Sequence, residues 1–545
     1  MKKIAILVFF TVGFFVHVWA CTGLIAGKQA TVDGSVLVTY SADSHTLYGA
    51  LTSSPAADWP KGSMRSIVEW DTNKPLGEIE QVEHTYAVMG NMNEHQLTVV
   101  ESTWGGRPEL VDTTGIIDYG SLMQLALERA KTAREAIKVM TGLVKKYGYY
   151  SSGESFTIAD PNEAWILDLI GKGPGRRGAV WVAVRIPDDC IAGHANYPRI
   201  HKIPMDDKEN CLYSPDVISF AREMGYFDGL NKDFSFARAY SPADFGALRA
   251  CDARVWSFFR KYDSTMDNYL PYVNGESAEP FPLYVKPSRK LSVQDMKEAM
   301  RDHFEDTPFD MTQDVGAGPF KVPYRFRPMS FEVDGKSYCM ERATQQTGFT
   351  LVGQMRNWLP DPVGGVLWFG VDDANTCVYI PMYCGITQVP ECFSPENGSM
   401  YDFSWTSAFW IHNWVANMAY ARYEPMIGDI RKVQSAVETS LNLRQPAVDK
   451  AAVELYATSP QEAIAYLTQY SCDAAEASTA RWKKLGEYLM VKFLDGNVKQ
   501  EENGKFKDNG YGLPDSPLFP GYSQEYYEEI VRQTGDRFLE TPPKY

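Results

Sequence analysis

The chain has 545 residues, room for several domains or one elaborated one, and its 44% hydrophobic and 22% charged residues build a large core with no compositionally disordered segment. A formal charge of -16 without a basic stripe argues against a nucleic-acid role. Acidity of this size speaks for solubility and names no partner.

Residues 1–20 have the form of a signal peptide: Lys2 and Lys3, an apolar run from Ile4 to Val16, and Val18-Trp19-Ala20 as a cleavage site. The run is too short for a comfortable membrane span, and no later stretch reaches the needed length. The expectation is therefore an exported protein, periplasmic or extracellular, without a membrane anchor after processing. Eight cysteines follow Cys21 (Cys190, Cys211, Cys251, Cys339, Cys377, Cys384, Cys392 and Cys472), an even number that permits disulfides without specifying them. Several sit in apolar runs, where a buried reduced thiol is the plainer reading.

Thr22 to Ala26 reads as a strand, Asp33-Gly34 as a two-residue hairpin turn, and Val36 to Tyr40 as the returning strand, with Asp43 just past its end. Strands at Thr85 to Met89 and Leu97 to Glu101 flank a polar turn at Asn91 to Glu94. Tyr119 to Lys131 has helical periodicity, and Thr132-Ala133-Arg134-Glu135 caps a second helix to about Tyr147. Segments Ser155 to Ala159, Ala164 to Ile170, Ala179 to Arg185 and Asp189 to Ala195 read as a strand meander. Ser292 caps a helix to His303, and Val366 to Val371 with Cys377 to Met382 form a hairpin. Helices follow at Trp405 to Tyr423, Ile427 to Leu443 and Gln461 to Phe493, with a short one from Gln524. The order is that of an α+β protein with helices layered on antiparallel sheets: residues 1–20 a signal peptide, 21–400 a mixed region, and 401–545 a mainly helical extension packed on the core.

Gly171 to Gly178 contains a GxGxxG spelling, but the strand that follows makes it a hairpin loop; a phosphate loop must open a helix. The eight histidines form no metal-binding pair, and His194 and His201 read as structural. His45, nearest to Cys21 in sequence, leaves a Cys-His dyad open in principle. The acidic pairs Asp188-Asp189 and Asp372-Asp373 fit turns and solvated surface better than a metal site or a glycosidase pair.

Cys21 stands apart by position. Cleavage after Ala20 makes it the first residue of the mature chain, with an α-amine (pKa about 7.7–8.0) beside a thiol (about 8.5), so the amine can take the thiol proton near neutral pH. The competing reading is a bacterial lipoprotein acylated at Cys21; Trp19 fits that processing site poorly.

Cys21-Thr22, Gly27-Lys28 and Ala30 to Ser35 resemble the start of the family C69 dipeptidases, N-terminal-nucleophile hydrolases related to choloylglycine hydrolases and penicillin V acylases. The likeness continues through Gly90 to Glu94, Thr132 to Ala136, Phe156 to Glu163, His194-Ala195-Asn196, Trp358-Leu359-Pro360 and Gly364 to Trp368. It implies a four-layer αββα sandwich and, position by position, a mechanism. Cys21 is the nucleophile, its amine the base, and Asp43 the carboxylate that holds the amine. Asn196 and the Thr103 backbone N–H stabilise the oxyanion, and Arg254 is the arginine near the nucleophile. Many relatives carry Arg-Asn-Glu-Asp after the hairpin where this chain has Tyr40-Ser41-Ala42-Asp43. The missing cation must come from elsewhere, Arg254 or Arg185, or be absent.

The expectation is an exported cysteine dipeptidase that forms a thioester on Cys21, needs no cofactor or metal, and acts on small peptides. Glu94, Glu101 and Arg107 are available for the substrate's charged ends, and a homo-oligomer is compatible with this reading. The alternatives are an N-acyl amide hydrolase on the same fold and a lipid-anchored, non-catalytic surface protein.

Overall fold

The computed structural model describes residues 21–340, 347–540 and 542. The signal-peptide reading of residues 1–20 lies outside the described residues.

Strand β1 (Gly23–Ala26) pairs antiparallel with β2 (Val36–Asp43), Ile25 opposite Val38. Asp33-Gly34 is not a two-residue hairpin turn, because the connection runs from residue 27 to 35. Within it Gly34 takes φ 86°, and the Asp33 carboxylate accepts from the Ser35 N–H (3.1 Å) and hydroxyl (2.6 Å). Asp43 is the last residue of β2 rather than a loop residue beyond it. Short strands β3 (Ser53–Ser54), β4 (Val88–Met89) and β5 (Met92–Asn93) precede β6 (Thr98–Trp104).

Helices α1 (Tyr119–Arg129) and α2 (Ala133–Tyr147) follow. Thr132 accepts from the Glu135 N–H as a cap, while the Glu135 carboxylate turns to the Lys131 N–H, so the capping is not reciprocal. Next come β7 (Gly153–Ala159), β8 (Ala164–Gly171) and β9 (Ala179–Ile186), each pairing with the one before; the glycine-rich stretch is the β8–β9 hairpin loop. The meander then breaks. Strand β10 (Ile191–His194) leaves this sheet and pairs with β1, placing His194 opposite Gly23.

Among the further elements are β11 (Cys211–Tyr213), α3 (Ala253–Arg260), β12 (Tyr284–Val285), α4 (Val293–Ala299), β13 (Thr347–Met355), β14 (Val366–Val371), β15 (Ile380–Tyr383), α5 (Ala408–Ala421), α6 (Tyr423–Thr458), α7 (Pro460–Lys492) and the expected short helix at Gln524–Thr534. One antiparallel sheet has the order β12-β10-β1-β2-β13-β14-β15, the other β11-β9-β8-β7-β6-β5-β4-β3. Sequence reasoning missed β13, which lies beside β2. It also placed the hairpin partner of β14 too early, since residues 372–379 are connection. Helix α6 passes through Pro446 instead of ending at Leu443.

Period-2 alternation assigns the layers. Val99, Ile158, Trp165 and Leu167 pack with α1 and α2, while their neighbours Val100 and Ile166 join the core shared with the seven-stranded sheet. Strand β6 lies across β1 and β2, while α3 packs on β10, α4 on β2 and β13, and α7 on β15. The protein is thus α+β, with two facing antiparallel sheets.

Candidate active site

Cys21 precedes β1 and is 3% exposed. It sits on the wall of a cavity of about 410 Å³ that Tyr40, Asp43, Asp71, Glu101 and Tyr119 also line. Strand β5 pairs with β6 only at Thr98, and past the Val99 bonds to Asn91 that edge of β6 carries no further strand among the described residues. Val99 donates its N–H to Asn91 across that edge, and the Thr103 carbonyl accepts from Asn196. A residue's N–H and C=O share one side of an antiparallel strand, alternating along it. The Thr103 N–H therefore points over the same edge of β6 as the Thr103 carbonyl that Asn196 holds.

Asn196 follows β10 with φ 54°, a left-handed conformation that asparagine tolerates better than most residues. Its Nδ2 donates to the Thr103 carbonyl at 2.5 Å, and its Oδ1 accepts from Arg254 Nη2 at 2.8 Å. Arg254 enters from α3, just after a π-helical turn over Ala247–Asp252. Its Nη1 donates to the Cys21 carbonyl (2.8 Å) and the Thr22 hydroxyl (2.7 Å), and its Nη2 also reaches the Ala195 carbonyl at 3.2 Å. One planar guanidinium thus fixes the Cys21 main chain relative to Asn196, a task suited to its fork of donors.

Asp43 Oδ1 accepts from the Thr347 hydroxyl at 2.7 Å and its Oδ2 from Ser41 at 3.3 Å. The thiol of Cys21 donates to Glu101 Oε1 at 3.5 Å; its partner is this carboxyl and not a histidine. Tyr40 donates to the same oxygen, and Thr103 Oγ1 lies between Glu101 Oε2 (3.5 Å) and Glu154 Oε1 (2.5 Å). Burial pushes the Cys21 thiol well above its usual range, and the charges of Glu101 and Asp43 add to it. Burial also raises Glu101 to about 7 and Glu154 well above a normal carboxyl. This surrounding favours the neutral thiol, so ionisation requires a base.

The structure brings Cys21, Asp43, Asn196, Thr103 and Arg254 together. Arg254 contacts the Cys21 carbonyl, and Arg185 is committed elsewhere, to Glu163 and Asp188. Of the residues set aside for substrate charges, only Glu101 reaches the cavity. Glu94 accepts from the Ala87 N–H, and Arg107 donates to the Ala239 carbonyl. His194 is a buried bridge between Ser102 Oγ (2.6 Å) and Thr157 Oγ1 (2.8 Å), held to about 3 by burial first and nearby arginines second. Among the described residues no group of three or more His, Cys, Asp or Glu side chains is arranged to hold a metal ion.

The profile of peptidase family C69 matches residues 20–436, well over half of the chain. The chain belongs to peptidase family C69. It is similar to a probable dipeptidase of Latilactobacillus sakei, 24% identical over 481 residues that cover 84% of this chain and 92% of that protein. A probable dipeptidase of Salmonella dublin is 27% identical over 394 residues (67% and 81%), and Dipeptidase A of Lactobacillus helveticus 24% identical over 427 residues (74% and 82%). The C69 match spans both sheets and ends inside α6. In this C69 peptidase, sequence reasoning missed Asp71, Tyr119 and Glu154 as cavity or near-cavity groups, and the meeting of Tyr40 with Glu101. The available signal was a glutamate inside each of two strands that are otherwise short of charge, TVVESTW and GESFTIA, where an unpaired carboxyl is costly and so informative.

Proposed function

We propose that this C69 peptidase is an exported dipeptidase working as an N-terminal-nucleophile hydrolase. Removal of residues 1–20 frees the α-amine of Cys21, which takes the thiol proton as sulfur attacks the peptide carbonyl. The S–C bond forms, and the oxyanion is met by Asn196 Nδ2 and the Thr103 N–H. The protonated amine then gives its proton to the leaving nitrogen as the C–N bond breaks, leaving a thioester. Water, deprotonated by the same amine, attacks the thioester and releases the first amino acid with the thiol restored. Asp43 holds the amine, and Arg254 positions Cys21 against Asn196.

The observation that carries this reading is the place of Cys21. The residue directly after the expected cleavage site lies on the cavity wall, one guanidinium away from Asn196. The helix pairs outside two facing sheets support the αββα sandwich of such hydrolases, and the relatives' names support dipeptides as substrates. Trp70, Phe349 and Phe369 in the cavity would suit an N-acyl amide, but the carboxyl groups beside the nucleophile favour a peptide with a free amine.

Mature protein starting at Cys21 is expected to hydrolyse dipeptides, Cys21→Ala to be inactive, and the precursor, whose Cys21 nitrogen is an amide, to be inactive as well. Full activity of the precursor contradicts the mechanism. Intact-mass analysis of the secreted protein separates a free Cys21 from an acylated one.

A further inference from the structure

A dipeptide differs from an N-acyl amide in bearing an ammonium on the carbon next to the attacked carbonyl. Bond lengths of about 1.5 Å keep that nitrogen about 2.5 Å from the carbonyl carbon. With sulfur about 3–3.5 Å from the same carbon at the point of attack, the ammonium must sit within about 6 Å of Sγ. Glu101 Oε1 lies 3.5 Å from Sγ, inside that radius and on the cavity wall.

Three carboxyl groups gather here, and each accepts from neutral donors. Glu101 accepts from Cys21, Tyr40 and Thr103, Glu154 Oε1 from Thr103, and Asp71 Oδ1 from Tyr119 at 2.8 Å. Among the described residues none of the three has an ion-pair partner, and Glu154 Oε2, on a fully buried residue, has no hydrogen-bond partner. Glu101 and Thr103 share a face of β6, and Glu154 stands opposite Thr103 on β7, so Glu154 does not itself line the cavity but is linked to Glu101 through the Thr103 hydroxyl. Buried carboxyl groups without a counter-ion are costly, and a cation arriving with the substrate offsets that cost. At position 40 an arginine would supply a resident cation; Tyr40 only donates a neutral hydrogen bond and leaves the charge of Glu101 for a ligand.

We propose that Glu101, backed by Glu154 and Asp71, is the subsite for the free α-ammonium of the substrate and restricts this enzyme to peptides with an unblocked N-terminus. This rests on the dipeptidase reading above. The amine of processed Cys21 is the other cation within reach of Glu101, and it would affect every substrate equally.

The test compares alanyl-alanine with propanoyl-alanine, which differ only in the ammonium, using mature protein. The wild type is expected to favour the dipeptide by about 10- to 100-fold in kcat/KM, the range of one charge-assisted contact. In Glu101→Gln that preference, read as the ratio of the two kcat/KM values, is expected to vanish, with the dipeptide's KM rising more than that of propanoyl-alanine; any effect of Glu101 on the Cys21 thiol is common to both substrates and cancels in the ratio. Equal losses on both substrates, or a fall in kcat at constant KM, would assign Glu101 to the nucleophile and overturn the inference. A wild type that cleaves both substrates equally well overturns it without any variant. A wild type that cleaves no dipeptide, but does cleave N-acyl amides, overturns the dipeptidase reading itself.

Discussion

Asn196 shows how much of the site depends on single side chains. Its left-handed backbone, its Oδ1 held by Arg254 and its Nδ2 on the Thr103 carbonyl leave the amide one orientation, and the proposed oxyanion contact uses the second Nδ2 hydrogen. Asn196→Ala removes that donor and is expected to lower kcat by about 10²- to 10³-fold with a smaller change in KM, measured on a dipeptide at saturation. Sequence reasoning reached Cys21, Asp43 and Asn196 through local motifs. It could not reach Tyr40 with Glu101, 61 positions apart, because only the approach of β2 to the open edge of β6 brings a tyrosine hydroxyl to a carboxyl. Arg254 carried a weak sequence signal, yet it bonds both the Cys21 carbonyl and Asn196 Oδ1. A guanidinium that holds backbone carbonyls leaves no local pattern to read.

Among elements, α6 is the plainest case of tertiary packing overriding local rules. Proline within a helix lacks an N–H donor and crowds the carbonyl four residues back, so a stop near Leu443 is the sound local reading. The helix nevertheless continues, because it is pinned to the body on both sides of Pro446. Before it, Glu438 pairs with buried Arg301 at 2.5 Å and accepts from the Tyr379 N–H; after it, Asp449 pairs with Arg356 and accepts from Tyr383 at 2.6 Å. Arg301 extends the bond set to the Cys377 carbonyl, tying α6 to the connection that enters β15. Glu438→Ala leaves this buried guanidinium to Glu298 and the Cys377 carbonyl and is expected to destabilise the fold by about 2–4 kcal/mol, read from urea unfolding. The missed strand β13 has the opposite cause. Its sequence TGFTLVGQM carries two glycines and weak alternation, and it becomes a strand because β2 and β14 flank it on both edges.

Across the whole molecule, buried titratable groups pull stability in opposite directions with pH. Burial is the leading cause that raises Asp71 and Asp168 to about 6 and Asp372 to about 7, and that lowers His194 and His201 to about 3 and His412 to about 4. A carboxyl raised in the folded state binds more protons there, so its contribution is lost as pH rises from about 4 to its folded value. A histidine lowered in the folded state acts in reverse, its contribution being lost as pH falls below about 6.5. The two sets offset each other over the overlapping range. Asp372→Asn removes one carboxyl term, so its melting temperature relative to wild type is expected to improve as pH rises from 4.5 to about 8, with most of the change below about 7. A constant difference across that range would contradict the raised Asp372.

What the sequence by itself determined is what local chemistry encodes. The amphipathic pair α1 and α2 and the strands read from alternation are set within a dozen residues, and the proposal of Cys21 as nucleophile rests on an equally short stretch. The tertiary structure alone decided which strands cross between sheets and what faces the thiol. By leaving the meander for the other sheet, β10 brings Asn196 to Cys21, and the open edge of β6 gives Glu101 to the same cavity. Both outcomes are fixed by long-range pairing of buried surfaces, which depends on how whole elements pack and is written in no single stretch of chain.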